Sequence, residues 1–287
     1  MVDAGLSPLG LLLRDFFVTT FTYLNSKTRW LVVGSGRSGV STLQTAFASN
    51  SDIVPDLPET VQKVEARVID GKADDVSYSF RTADMRNQVD GRHQYLPEIL
   101  NYPVGVVFVF KTFRVDEKEG VVLDGHLQSK NEFKKTADGH IRHEGDYQQL
   151  RFLTNAFLYP DTLEKNFPEV FAEVGLSSDT RLKYLRKFKP YAPKVLIMAG
   201  NFLDITMPDI GKFQPHQADG EIRDFLMPYM ESFEPLTSQW QRFNRKNWRG
   251  KVETPCAVRY LGISARYNYN VKPLLQTMKY STGVFGT

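Results

Sequence analysis

The chain is short of cysteine: Cys256 is the only one in 287 residues. No internal disulfide can form, which suits a reducing compartment and excludes a cystine-stapled secreted scaffold. Long apolar runs are missing too. None approaches the ~20 residues that a membrane-spanning helix needs. The apolar stretch "LGLLLRDFFVTTFTYL" near the start is broken by Arg14 and Asp15 and lacks the basic start and cleavage site of a secretion signal. It reads as a helical extension over 1–29, packed on the domain or on a partner. Strong charge is absent as well. A net charge of +3 does not by itself announce a nucleic-acid binder. An intracellular protein is the expectation, with the cytoplasm favoured and an organelle matrix or peripheral membrane association as the alternatives.

What is present is a series of short apolar runs: "WLVVG" (30–34), "VGVVFVF" (104–110), "KVLIMAG" (194–200) and "AVRYLGIS" (257–264). Each is rich in β-branched or aromatic residues and leads into a polar, glycine-containing or helix-starting segment. That is the pattern of parallel strands buried on both faces. "VQKVEARVID" and "DVSYSF", joined by "GKAD", alternate apolar and polar residues and read as a β-hairpin. Helical periodicity follows Ser41, Tyr147 and Asn270. Strands alternating with helices predict a doubly wound α/β sheet with helices on both faces. Two stretches, about 111–193 and 205–253, exceed ordinary crossovers and read as insertions on a core that spans 30–287.

The first strand runs into "GSGRSGVST", residues 34–42. Its layout is that of a phosphate-binding loop, G-x-x-x-x-G-K-[ST], with Gly34, Ser35, Gly36, Arg37, Ser38 and Gly39 forming the turn and Ser41 and Thr42 opening a helix. Val40 stands where the lysine belongs. Further motifs follow in order. Thr60 lies in "LPET", "RTADM" follows Phe80, "GNFLD" holds Asn201, Phe202 and Asp204, and "ISAR" holds Ser264, Ala265 and Arg266.

In this order, at the ends of their strands, these motifs resemble those of the Ras-like small GTPases over most of 30–280, outside the two insertions. The resemblance implies a P-loop fold in which Asp204 accepts from the guanine N–H groups, and Asn201 with the Ser264-Ala265 backbone holds the base oxygen. Phe202 replaces a lysine stem over the ring, where an aromatic face can stack. It also implies damage on the phosphate side. Val40, Arg81 and Met85 stand where the family has the loop lysine, the magnesium-orienting aspartate and the water-positioning glutamine, and Asp84 replaces a glycine. Thr60 matches the threonine that closes over the γ-phosphate. Arg37 and Arg81 are the candidates for replacing the lost positive charge. No metal ligand is expected, save Ser41 if magnesium binds.

The expectation is therefore a catalytically inactive GTPase-like protein without hydrolysis, in which the pocket either binds GTP or GDP without magnesium or stays empty with Arg81 paired to Asp84 or another acid. It would act as a structural or adaptor subunit whose insertions meet protein partners in a larger assembly. A divergent but working GTP switch is the alternative. The triplet Arg37-Ser38-Gly39 also resembles the phosphate loop of sulfotransferases, for which His93 would have to serve as base. Three further features have plain readings. His140 and His143 have metal-ligand spacing but no third ligand nearby, which points to a solvated loop. The basic run 242–251 with Trp248 offers RNA a grip, but the low net charge favours a solvated or partner-facing loop. The aromatic and methionine residues Phe225, Met227, Tyr229, Met230, Phe233, Trp240 and Phe243 exceed what a solvent loop needs and suggest a covered surface.

Overall fold

The computed structural model describes residues 28–48, 65–73, 76–84, 92, 95–116, 120–123, 126–127, 133–135, 141–172, 188–207, 209, 215–243 and 255–281. Thr60, Met85, His93, His140 and Trp248 lie outside the described residues, as do 1–27 and 244–251.

The chain is a mixed α/β protein built on a central parallel sheet. The strands of that sheet are β1 (Thr28–Gly34), β2 (Glu65–Ala73), β3 (Val76–Asp84) and β4 (Gly105–Lys111). Short strands β5 to β9 (Arg114–Asp116, Gly120–Leu123, His126–Leu127, Phe133–Lys135 and Ile141–His143) form two small antiparallel sheets beside it. β10 (Val195–Asn201) and β11 (Ala257–Gly262) complete the main sheet. Its order is β11-β10-β4-β1-β3-β2, parallel throughout except for the β2–β3 hairpin.

Every residue of β4 and β10 is buried, as expected for strands covered on both faces. Successive side chains alternate between two apolar clusters. One face carries Leu31, Val33, Phe108, Phe110, Leu196 and Met198. It packs against α3 (Glu144–Leu158), through Leu150, Leu153 and Phe157, and against α7 (Pro215–Arg242), through Leu226, Phe233 and Trp240. The other face carries Trp30, Val32, Val107, Val109, Ile197 and Ala199. It packs against Leu43 and Phe47 of α1 (Val40–Ala48) and Val271, Leu274 and Met278 of α8 (Val271–Ser281). Each fully buried side chain of this size contributes about 1.5–3 kcal/mol. Among the described residues there are also four short helices: α2 (Tyr95–Ile99), α4 (Pro160–Asn166), α5 (Glu169–Ala172) and α6 (Leu203–Thr206).

The two long segments contain the crossovers that parallel strands require. α3 lies between β4 and β10 in the chain, and α7 lies between β10 and β11. The apolar residues of 205–253 are accordingly core more than surface. Tyr229, Phe233 and Trp240 are buried, Phe225 and Phe243 pack against the core, and Met227 and Met230 face outward. Trp240 Nε1 donates to Thr154 Oγ1 at 2.9 Å, which satisfies the one polar atom of a fully buried indole. Helix α7, about 42 Å long at 1.5 Å per residue, carries Pro228 and Pro235 inside it, both on the exposed side. The hydrogen bonds they remove are lost where water can replace them.

β11 differs from the buried strand expected. As a sheet edge it leaves Ala257 and Arg259 exposed, and the charge on Arg259 discourages a further strand from pairing there.

Candidate functional site

β1 stops at Gly34, and the chain turns through 35–39 into α1. Two glycines make the turn possible. At Gly39 φ is +85°, a left-handed conformation that L side chains rarely adopt, and a Cβ would run into the Asn201 side-chain amide. At Gly34 a Cβ would meet Ser38 Oγ and the Val109 carbonyl. The turn closes with Ser38 N–H donating to the Ser35 carbonyl at 3.0 Å. Arg37 is exposed with φ 58°. The first amides of α1 face the turn, an arrangement that favours an anion.

Strand order sets this turn apart from the others. After β1 the chain adds β2 and β3 on one side of it, then β4, β10 and β11 on the other. In open α/β sheets ligands bind outside the carboxyl ends of the strands, at the point where the order reverses. Here that point is the end of β1.

Asn201, the last residue of β10, is 3% exposed and joins three segments. Its Nδ2 donates to the Ser38 carbonyl at 2.9 Å, and its Oδ1 accepts from Ala265 N–H at 3.0 Å. Its own carbonyl accepts from both the N–H and the hydroxyl of Thr112. Thr112 Oγ1 lies 3.1 Å from Thr206 Oγ1, which donates to the Phe202 carbonyl at 2.9 Å. This network holds Phe202 at φ 77°, and the Phe202 ring tip lies close to Gly39. Asp204 follows on α6 and accepts from Ser264 Oγ at 2.6 Å; the same oxygen accepts from Tyr267 N–H at 3.3 Å. Arg266 is exposed, its guanidinium 5.7 Å from the Tyr267 ring centroid.

The structure thus brings together Ser38, Gly39, Asn201, Phe202, Asp204, Ser264 and Ala265. Ser41 and Thr42 lie half-buried on the first turn of α1. Val40 is 6% exposed and packs in the core with Leu43 and Val271. Arg81 is elsewhere. It pairs with Arg29, five positions before Gly34, which is about 16 Å along a strand. That register sets the Arg81 backbone well away from the loop.

Sequence reasoning missed a buried polar cluster at the same end of the sheet. Lys111 closes β4, is 6% exposed and pairs in register with Asn201. Its Nζ lies 3.3 Å from His143 Nε2, and its backbone N–H donates to Asp146 Oδ2 at 3.0 Å. His143 caps α3, its Nδ1 lying 3.1 Å from Asp146 N and 3.3 Å from Asp146 Oδ2. His143 is therefore a buried cap residue and not part of a solvated loop. Burial alone would raise the Asp146 carboxyl. The His143 ring, its hydrogen bond and the Lys111 ammonium outweigh burial and hold the group below its ordinary value. The Ser35 hydroxyl also helps to lower the Asp146 carboxyl, and among the described residues Ser38 Oγ is buried without a hydrogen-bond partner. The sequence signal was the His143/Asp146 pair spaced three apart at a helix start, which reads as capping only when the helix boundary is known.

Asp204 lies half-buried beside Ser264, and the Phe202 ring lies by the loop. The turn itself, 34–39, contains no lysine. Among the described residues, no cluster of three or more His, Cys, Asp or Glu is placed to hold a metal ion. Compared with known protein families and with curated proteins, the chain matches none.

Proposed function

We propose that this chain is a Ras-like pseudo-GTPase: a doubly wound P-loop domain that holds a guanine nucleotide, does not hydrolyse it, and works as a structural or adaptor subunit of a larger assembly. The observation that carries the reading is the Asn201 bridge. One buried amide ties the glycine-rich turn at Ser38 to the Ala265 segment, with the Asp204–Ser264 pair beside it. A residue that merely caps a turn has no need to join two loops that lie 163 and 64 positions from it in sequence.

In this reading Asp204 selects guanine, because adenine presents no matching pair of N–H donors and would leave the half-buried carboxylate mismatched. Asn201 and Ala265 already bond to each other, so Asn201 positions the pocket wall. Val40 explains the loss of catalysis. The transferring phosphoryl group needs positive charge held at the loop, and a packed valine supplies none. With no turnover to serve, the segments 111–193 and 205–253 are read as carrying the partner surfaces.

The test is an incubation of the purified chain with GTP and magnesium, followed for released phosphate. No release above the uncatalysed background is expected. Magnesium-dependent turnover that disappears in Asp204→Ala would mean a working GTPase.

A further inference from the structure

We infer that Lys111 is this protein's phosphate-binding cation, supplied from the end of β4 in place of the lysine that the loop lacks at Val40; the inference rests on the nucleotide-site reading above. Position supports it first. Gly34 pairs with Val109 and Asn201 pairs with Lys111, so Lys111 lies two residues past the partner of Gly34, at the level where the loop begins. Adjacent strands are about 4.8 Å apart. Lys111 is flanked by the loop-bearing strand on one side and by Asn201, bonded to Ser38 of that loop, on the other.

Hydrogen bonding supports it next. An ammonium carries three donors. Among the described residues the Lys111 ammonium has one hydrogen-bond contact, the His143 ring nitrogen at 3.3 Å. To accept there, Nε2 must be unprotonated and Nδ1 must carry the ring proton, directed at Asp146 Oδ2, 3.3 Å away. The alternative tautomer accepts the Asp146 N–H at Nδ1, 3.1 Å away, and turns an Nε2–H toward the ammonium. The two bonds to His143 therefore compete, and neither gives Lys111 a full set of acceptors. Asp146 balances its charge from nearby while spending Oδ2 on the Lys111 backbone N–H.

The cluster thus holds a buried, charge-balanced ammonium on a flexible four-carbon stem with donors to spare. Ser38, 1% exposed, holds a hydroxyl without a hydrogen-bond partner among the described residues, in the same loop. A diphosphate over the α1 N-terminus would offer what both lack. The stem would swing from His143 toward the phosphates, and the α1 amides would hold the remaining oxygens.

The experiment compares calorimetric affinities for GDP and for guanosine in the wild type, Lys111→Met and Lys111→Arg, with circular dichroism as the check of fold. In the wild type GDP should bind more tightly than guanosine. Lys111→Met should shrink that ratio about tenfold or more and leave guanosine affinity unchanged, because only phosphate contact is lost. Lys111→Arg should retain most of the ratio. If Lys111→Met alone does not fold, the double variant Lys111→Met/Asp146→Asn removes both buried charges and reads the same ratio. An unchanged ratio in a folded neutral variant overturns the role of Lys111 and leaves the nucleotide site standing. A wild type that binds neither GDP nor guanosine overturns both.

Discussion

The side-chain amide of Asn201 donates to the Ser38 carbonyl at 2.9 Å and accepts from Ala265 N–H at 3.0 Å, so one residue fixes the turn after β1 against the turn after β11. All three partners are nearly inaccessible to water. Asn201→Ala should therefore leave a buried carbonyl and a buried N–H unpaired, at a cost of about 2–4 kcal/mol. Urea denaturation should show a lower midpoint with an unchanged slope. A loss under 0.5 kcal/mol would mean that the two turns hold their places without it.

Asp204→Asn separates binding from folding. The amide oxygen can still accept from Ser264 Oγ, which now donates at 2.6 Å, so stability should change little. Guanine-nucleotide affinity should fall by about 1–3 kcal/mol as a charge-assisted pair is lost and an N–H faces ligand donors. Equilibrium titration of the variant beside the wild type reads both effects.

Tyr229 anchors the chain just beyond Lys111 and Thr112. Its hydroxyl donates to the Phe113 carbonyl and accepts from the Phe113 N–H, both at 2.8 Å. This pins the chain leaving β4 to helix α7. Burial raises the phenol well above its ordinary range. Tyr229→Phe should cost about 2–4 kcal/mol, since two buried backbone groups lose their partner, read as a lower urea midpoint.

Much of this architecture was legible in the residues. Four apolar runs and one alternating pair gave six strands, because burial on both faces and burial on one leave different periodicities. The Gly39 conformation was legible in outline, since a left-handed turn before a helix calls for glycine. Other features needed three dimensions. α7 was read as a surface insertion because a 28-residue helix carrying Pro228 and Pro235 breaks the usual helical signal. Its prolines are tolerated because they face water. Lys111 and Asp146 are 35 positions apart and meet only through the β4–α3 geometry. Arg81 follows Phe80 in a motif-like string, yet its placement depends on the β1–β3 register, which no local pattern specifies.

The buried carboxyl of Asp146 predicts a pH effect with a definite sign. Its folded value lies below that of the unfolded chain. The stability it contributes is therefore present above the unfolded carboxylate range, near pH 3.9. It is lost as pH falls through the depressed folded value. Thermal melts from pH 7 to pH 2 should show an acid-induced loss that is smaller in Asp146→Asn. At neutral pH, Asp146→Ala should be destabilised by about 3–5 kcal/mol, because it strands the Lys111 charge.

The central claim is a guanine-selective pocket walled by Asn201, Asp204 and the Ser264-Ala265 turn. Its most direct test is calorimetric titration of the intact chain with GDP and with ADP, without magnesium. The account predicts saturable binding of GDP and at least tenfold weaker binding of ADP. Equal affinity for the two, or no binding of GDP, would contradict it.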